Sequence, residues 1–341
     1  MAGRKGKEIN NDFPFHEYLK LYYEENRGKI RRSYKDLTKK FLDYNDKEKN
    51  PDAFLRAPQF ESLEMYVFIK EYLGNKQMHQ IFDEWRNREG KFADAKNFRK
   101  INPKGQQTFF DVSAEEHEDV FKAMRSISEG YNYPNYIYAL AMGLGKTLLM
   151  TTCIFYEFLL ANKYPKDTRF CHNALIFAPD LTVLQSLKEI LTFDKTKVLP
   201  REYANVLDAN IKFHFLDKNN STLNTLDQSD FNIIISNTQK IIVKKKSTPD
   251  TSAEKLFRQT TIVEDTIIDN ALLAIYGEDL SEDLKEGDNL NINQRFRKLC
   301  RLPQLGVYVD EAHHMFGADL AKALLPSNQT SLRNTITSLS R

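Results

Sequence analysis

Tyr138-Ala-Leu-Ala-Met142-Gly143-Leu144-Gly145-Lys146-Thr147 is a glycine-punctuated turn between two apolar runs. Curling a backbone around phosphate oxygens requires glycines and free amide N–H groups. A lysine is needed for the outer phosphates and a hydroxyl for Mg²⁺. Gly143, Gly145, Lys146 and Thr147 supply these parts, with Met142 and Leu144 completing the loop. Residues 136–141 are predicted to be a buried strand. Residues 148–160 are predicted to be an apolar helix whose N-terminus faces the phosphates. One position departs from the general pattern: Leu140 stands where a glycine is usual, six residues before Lys146.

Far downstream, Gly306-Val-Tyr-Val309 ends in Asp310-Glu311-Ala312-His313. A short apolar run of this kind suits a central parallel strand. Asp310 is placed to hold Mg²⁺, and Glu311 to activate an attacking water. Taken singly, each motif has a plainer alternative: a glycine-rich turn with no ligand, or an acidic pair that merely opens a loop. Together they form both halves of a nucleoside triphosphate site, for which ATP and Mg²⁺ are the expected cofactors.

Between the two motifs, residues 173–178 and 231–239 read as buried strands, and residues 211–216 as a half-exposed one. Strands alternating with helices, such as the amphipathic stretch 181–191, imply an α/β fold. The expected architecture is a doubly wound parallel sheet of the P-loop NTPase type, with ligands gathered at the strand C-termini. Residues 1–49 are read as a helical N-terminal extension. Residues 50–341 are read as an ATP-binding domain with insertions at about 74–132 and 244–293. Tyr18, Leu19, Tyr22 and Tyr23 recur at helical spacing as one packed face.

Composition narrows the class. The 341 residues contain 41% hydrophobic side chains, enough for a real core. With 49 Lys and Arg against 47 Asp and Glu, the net charge is +2, which neither supports nor excludes a nucleic-acid partner. Cys153, Cys171 and Cys300 lack metal-ligand spacing and read as reduced core thiols. No run approaches the ~18 apolar residues of a membrane span, and the N-terminus lacks a signal-peptide core. No membrane association and a cytoplasmic location are expected.

The order of these motifs resembles that of the superfamily 2 helicases, particularly the helicase subunit of type III restriction endonucleases and its DEAD/DEAH relatives. Leu55-Arg56-Ala-Pro-Gln59-Phe-Glu61-Ser-Leu63 is similar to that family's adenine-recognising motif, with Gln59 in the adenine role. Residues 141–147 resemble motif I, and residues 310–313 spell motif II. The resemblance gives His313 the role of coupling ATP state to the DNA-binding side. Residues 177–191 and 235–240 are similar to the two motifs that grip a phosphodiester chain, which makes Thr182, Thr238 and Gln239 candidate DNA contacts. Residues 297–303 and Phe316-Gly317 are similar to the type III group.

The resemblance implies that the sheet is RecA-like, with DNA as partner, possession of ATPase activity, and a methyltransferase or specificity subunit alongside. It also implies a second RecA-like domain, which is not found in the residues after His313. The chain is therefore expected to be the N-terminal portion of a motor, binding nucleotide with little turnover alone, because an arginine finger contributes about 10³ to 10⁵ in rate. A remodeller-like translocase of superfamily 2, or a nucleotide-binding interaction module without motor activity, are the alternatives.

Overall fold

In the computed structural model the described residues are 13–96, 98–102, 106–128, 132–138, 140–141, 143–178, 189–216, 230–237, 244–245, 290–291, 299–310, 336 and 339. The first described element is α1 (Phe15–Ser33), which turns Phe15, Tyr18, Leu19, Tyr22, Tyr23 and Ile30 inward at helical spacing. The packed face expected from the tyrosines is therefore present. Next, α2 (Asp36–Asn45) buries Leu37, Phe41 and Leu42. Proline in the first turn starts α3 (Ala57–Val67), which runs directly into a π-helical turn, Phe68–Tyr72.

Residues 74–132 form α4 (Met78–Asn87), a hairpin of β1 (Arg99–Ile101) and β2 (Gln107–Asp111), and α5 (Ala114–Ser128). The only tryptophan, Trp85, organises this layer. Its ring lies 4.9 Å from Tyr18, 4.7 Å from Phe98, 5.4 Å from Phe15 and 5.5 Å from His117, centroid to centroid. Burying aromatic rings of this size stabilises a fold by about 1.5–3 kcal/mol each.

The sheet comprises β3 (Asn173–Ala178), β4 (Lys212–Leu216), β5 (Asn232–Asn237) and β8 (Leu305–Val309), in the order β4-β5-β3-β8. All three pairings are parallel. Two short strands, β6 (Lys244–Lys245) and β7 (Leu290–Asn291), pair antiparallel apart from it. A parallel sheet buried on both faces needs near-continuous apolar strands. Ala174, Ile176, Ile233 and Ile235 share one core with α1 to α3 and with α6 (Lys146–Lys163). Leu175, Phe177 and Ile234 face the other way, against Leu299 and Leu302. The chain is thus α/β around a four-stranded parallel sheet.

Three expectations need correcting. The described residues of 136–141 join no ladder, and Ile137 is 51% exposed. Side chains pin this segment instead: the Tyr136 hydroxyl donates to the Lys76 carbonyl at 2.8 Å. Without a neighbour there, β8 ends the described sheet rather than lying at its centre, and its residues are only half-buried. Finally, Cys153 is a core thiol, but Cys171 is half-buried and Cys300 is exposed.

Two histidines of the helical layer carry a pH prediction. Burial, followed by the Arg86 charge, lowers the His117 pKa, and burial followed by Arg125 lowers that of His79. Glu116 and Asp83 act weakly in the opposite sense. His117 Nε2 has no hydrogen-bond partner, and the ring faces Phe13, Phe82, Trp85 and Phe98. With folded pKa values below the ordinary value of about 6.5, the unfolded chain takes up the proton first. Stability is fully present above that pH and falls below it. Urea midpoints measured between pH 7.5 and 5.5 are expected to drop, and to drop less in His117→Phe. An equal drop in the variant would contradict the assignment.

Candidate functional site

The glycine loop opens α6. Gly143 and Gly145 both adopt left-handed backbone, with φ of 77° and 69°. Gly145 is the N-cap of α6, and its carbonyl accepts the first helical hydrogen bond, from the Leu149 amide at 3.1 Å. The turn is closed by the Leu144 amide on the Ala141 carbonyl at 3.3 Å. Gly143 and Gly145 are solvent-exposed, and Lys146 and Thr147 are half-buried in the first turn. This leaves a helix N-terminus with accessible backbone around it, the arrangement in which amide donors and the helix dipole favour an anion.

Asp310 follows directly on β8. Its amide extends the ladder to the Phe177 carbonyl at 3.2 Å, and the residue is 8% exposed. The Thr147 hydroxyl donates to Asp310 Oδ2 at 2.9 Å across 163 residues of sequence. The fold therefore brings together the two residues proposed from sequence as metal ligands, at the C-terminal edge of a parallel sheet. Among the described residues no group of three or more His, Cys, Asp and Glu side chains is arranged to hold a metal.

Gln59 reaches the same loop from the N-terminus of α3. Its side-chain oxygen accepts from the Arg56 amide at 2.9 Å, and its side-chain nitrogen donates to the Gly145 carbonyl at 3.4 Å. The residue is 3% exposed. A Cβ at position 145 would stand 2.7 Å from that nitrogen, the mobile end of a side chain, so it is the left-handed φ that calls for glycine there. Arg56, which sequence reading quoted without a role, donates from Nη1 to the Gly143 carbonyl at 3.3 Å. Both loop glycines are thus held by one helix end.

A second cluster, missed from sequence, lies further along α6. Glu157 is fully buried and receives Lys70 Nζ at 2.9 Å, the Cys171 amide at 2.8 Å and the Tyr66 hydroxyl. Burial alone would strip the Lys70 charge, but Glu157 outweighs it and holds the ammonium above the usual lysine range. Burial, reinforced by Glu157, pushes the Cys171 thiol up to about 12. The cluster ties α3, the π turn and the approach to β3 onto α6. Its signal in the sequence was a lone carboxylate inside the apolar run 148–161.

The remaining sequence-derived residues, Met142, Thr182, Thr238, Gln239, Glu311 and His313, lie outside the described residues. So does most of the helix expected over 181–191, of which only Glu189–Thr192 is described. Among the described residues, no helix is long and apolar enough to cross a membrane. No family model, curated protein or solved structure matches the chain.

Proposed function

We propose that this chain is the ATP-binding portion of a DNA helicase or translocase of superfamily 2, of the kind found in type III restriction enzymes. The observation that carries the reading is the Thr147–Asp310 hydrogen bond beside a left-handed glycine loop. Mg²⁺ prefers octahedral oxygen ligands at about 2.0–2.1 Å, so neighbouring ligand oxygens stand about 2.9 Å apart. The Thr147 hydroxyl and the Asp310 carboxylate have that spacing, 2.9 Å, and the donor chemistry fits. When bound, Mg²⁺ neutralises charge on the β- and γ-phosphate oxygens.

In this reading the backbone of 143–147 cradles the phosphates and Lys146 pairs with the outer ones. Glu311 orients the attacking water, and His313 couples nucleotide state to the DNA-binding side. Gln59 has one N–H on Gly145 and one lone pair on Arg56, which leaves one donor and one acceptor for an adenine edge. Thr182, Thr238 and Gln239 would contact the DNA backbone.

A motor requires nucleotide and DNA sites to be coupled, and coupling is reciprocal. A non-hydrolysable ATP analogue with Mg²⁺ is expected to change the affinity for labelled DNA by roughly 5- to 150-fold, the range of ordinary couplings. Fluorescence anisotropy with and without the analogue measures this. Nucleotide binding with no change in DNA affinity would leave a nucleotide-binding module and sink the motor reading.

A further inference from the structure

Asp310 stands at the end of a strand that is supported from one side. Among the described residues β8 pairs only with β3, and its five residues are half-buried. The last rung of that pairing is the Asp310 amide on the Phe177 carbonyl, at 3.2 Å. A functional side chain must be held to within about 0.5 Å of its working place by packing around it. For Asp310 the ladder supplies only part of that hold.

The rest comes from the face of β8 turned toward α6. Gly306 lies opposite Ala174 and Tyr308 opposite Ile176, and both partners belong to the core shared with α6. Side chains alternate along a strand, so Gly306, Tyr308 and Asp310 share that face, where Asp310 meets Thr147. Tyr308 packs on the same core, its hydroxyl within hydrogen-bonding reach of Tyr66 and of the Cys171 thiol. Tyr66 in turn donates to Glu157 of α6, the helix that begins with Lys146 and Thr147.

Gly306 is what lets the Tyr308 ring lie there. Its backbone is not left-handed, so conformation does not call for glycine. Space does: a Cβ would stand 2.7 Å from Cys171 Sγ and 2.9 Å from Tyr308 Cε2, and 3.3 Å from Cys171 Cβ. An aromatic ring packed between neighbours cannot give way as the end of a long side chain can. The ring therefore fills the gap over Gly306, on the side away from Asp310, and leaves the carboxylate its path to Thr147.

On the reading of Thr147 and Asp310 as Mg²⁺ ligands, we propose that Tyr308 is a positioning residue for Asp310. Its ring, seated over Gly306 beside Cys171 and Tyr66, anchors the end of β8 and so sets where the carboxylate stands against Thr147. Tyr308 touches neither metal nor phosphate in this role; it acts through the strand.

The test compares wild type, Tyr308→Leu, Tyr308→Phe and Gly306→Ala in two measurements. The first is ATP affinity with and without Mg²⁺. Residues that orient metal ligands matter about 10- to 100-fold, so Tyr308→Leu and Gly306→Ala are each expected to cut the gain in affinity from Mg²⁺ by about tenfold while leaving Mg²⁺-free affinity in place. Tyr308→Phe, which keeps the ring, is expected to restore most of that gain. Gly306→Ala displaces the ring without emptying the core, and it decides the matter if the leucine variant does not fold. The second measurement is hydrogen exchange of the Asp310 amide in the ligand-free chain, by nuclear magnetic resonance, which is expected to be faster in the same two variants and close to wild type in Tyr308→Phe. An unchanged gain from Mg²⁺ in both variants would overturn the proposal. So would an equal fall with and without Mg²⁺, which marks a merely structural role, or unaltered exchange at Asp310. A wild-type chain that binds no ATP defeats the nucleotide reading instead, and the exchange measurement, which needs no ligand, still decides whether Tyr308 holds Asp310.

Discussion

Thr147→Val and Asp310→Ala are each expected to remove the contribution of Mg²⁺ to triphosphate binding while leaving the sheet intact. Valine matches threonine in shape but has no hydroxyl, and Asp310 sits at the end of β8, where its side chain meets Thr147 rather than the core. Groups that merely orient metal ligands typically matter 10- to 100-fold, so loss of a direct ligand is expected to lower Mg²⁺-dependent affinity by about 100-fold. The two substitutions act on one ion and should be far from additive. Titrating ATP into each variant with and without Mg²⁺ reads this directly. Affinity that still rises with Mg²⁺ in both variants would dissolve the pairing.

The second large effect is on stability. Glu157→Leu leaves the Lys70 ammonium buried with its principal partner gone, and such a loss typically costs about 3–5 kcal/mol. Adding Lys70→Met removes the stranded charge, so much of the loss should return, because apolar replacements of buried pairs are often neutral or stabilising. Recovery is incomplete, since the Tyr66 hydroxyl and the Cys171 amide still lack their acceptor, at about 1–3 kcal/mol for a stranded polar group. Urea unfolding followed by Trp85 fluorescence supplies the comparison, as Trp85 is the sole tryptophan and is buried. If the double variant were no more stable than Glu157→Leu, the buried charge would not be the source of the loss.

The parts of the fold that could be read from sequence are those whose pattern has one physical solution. The continuous apolar runs of β3 and β5 can satisfy a parallel sheet covered on both faces, and they do. The tyrosine stripe of α1 fits only a helix with one buried side. Thr147 and Asp310 read as ligands of one ion despite their separation in sequence, and their side chains meet at 2.9 Å.

The misread segments are those where local pattern has two solutions. An apolar run such as 136–141 can pair in a ladder or be pinned by its own tyrosines. Only long-range contacts, here Tyr136 on Lys76, decide. The hairpin was hidden by its polar composition, and the π turn Phe68–Tyr72 by its resemblance to ordinary helix. Gln59 was read as facing a base alone. The structure adds its second engagement, on the Gly145 carbonyl, which only the placement of α3 beside the loop reveals. The Glu157–Lys70 contact joins residues that no local rule connects.

The claim at the centre of the account is that the loop of Gly143 to Thr147 binds a nucleoside triphosphate. Calorimetric titration of ATP with Mg²⁺ into the wild-type chain and into Lys146→Ala tests it most directly. The account expects saturable binding to one site in the wild type and its loss in the variant, with the circular dichroism spectrum unchanged. Binding that survives Lys146→Ala undiminished, or a wild-type chain that takes up no ATP at all, would contradict it.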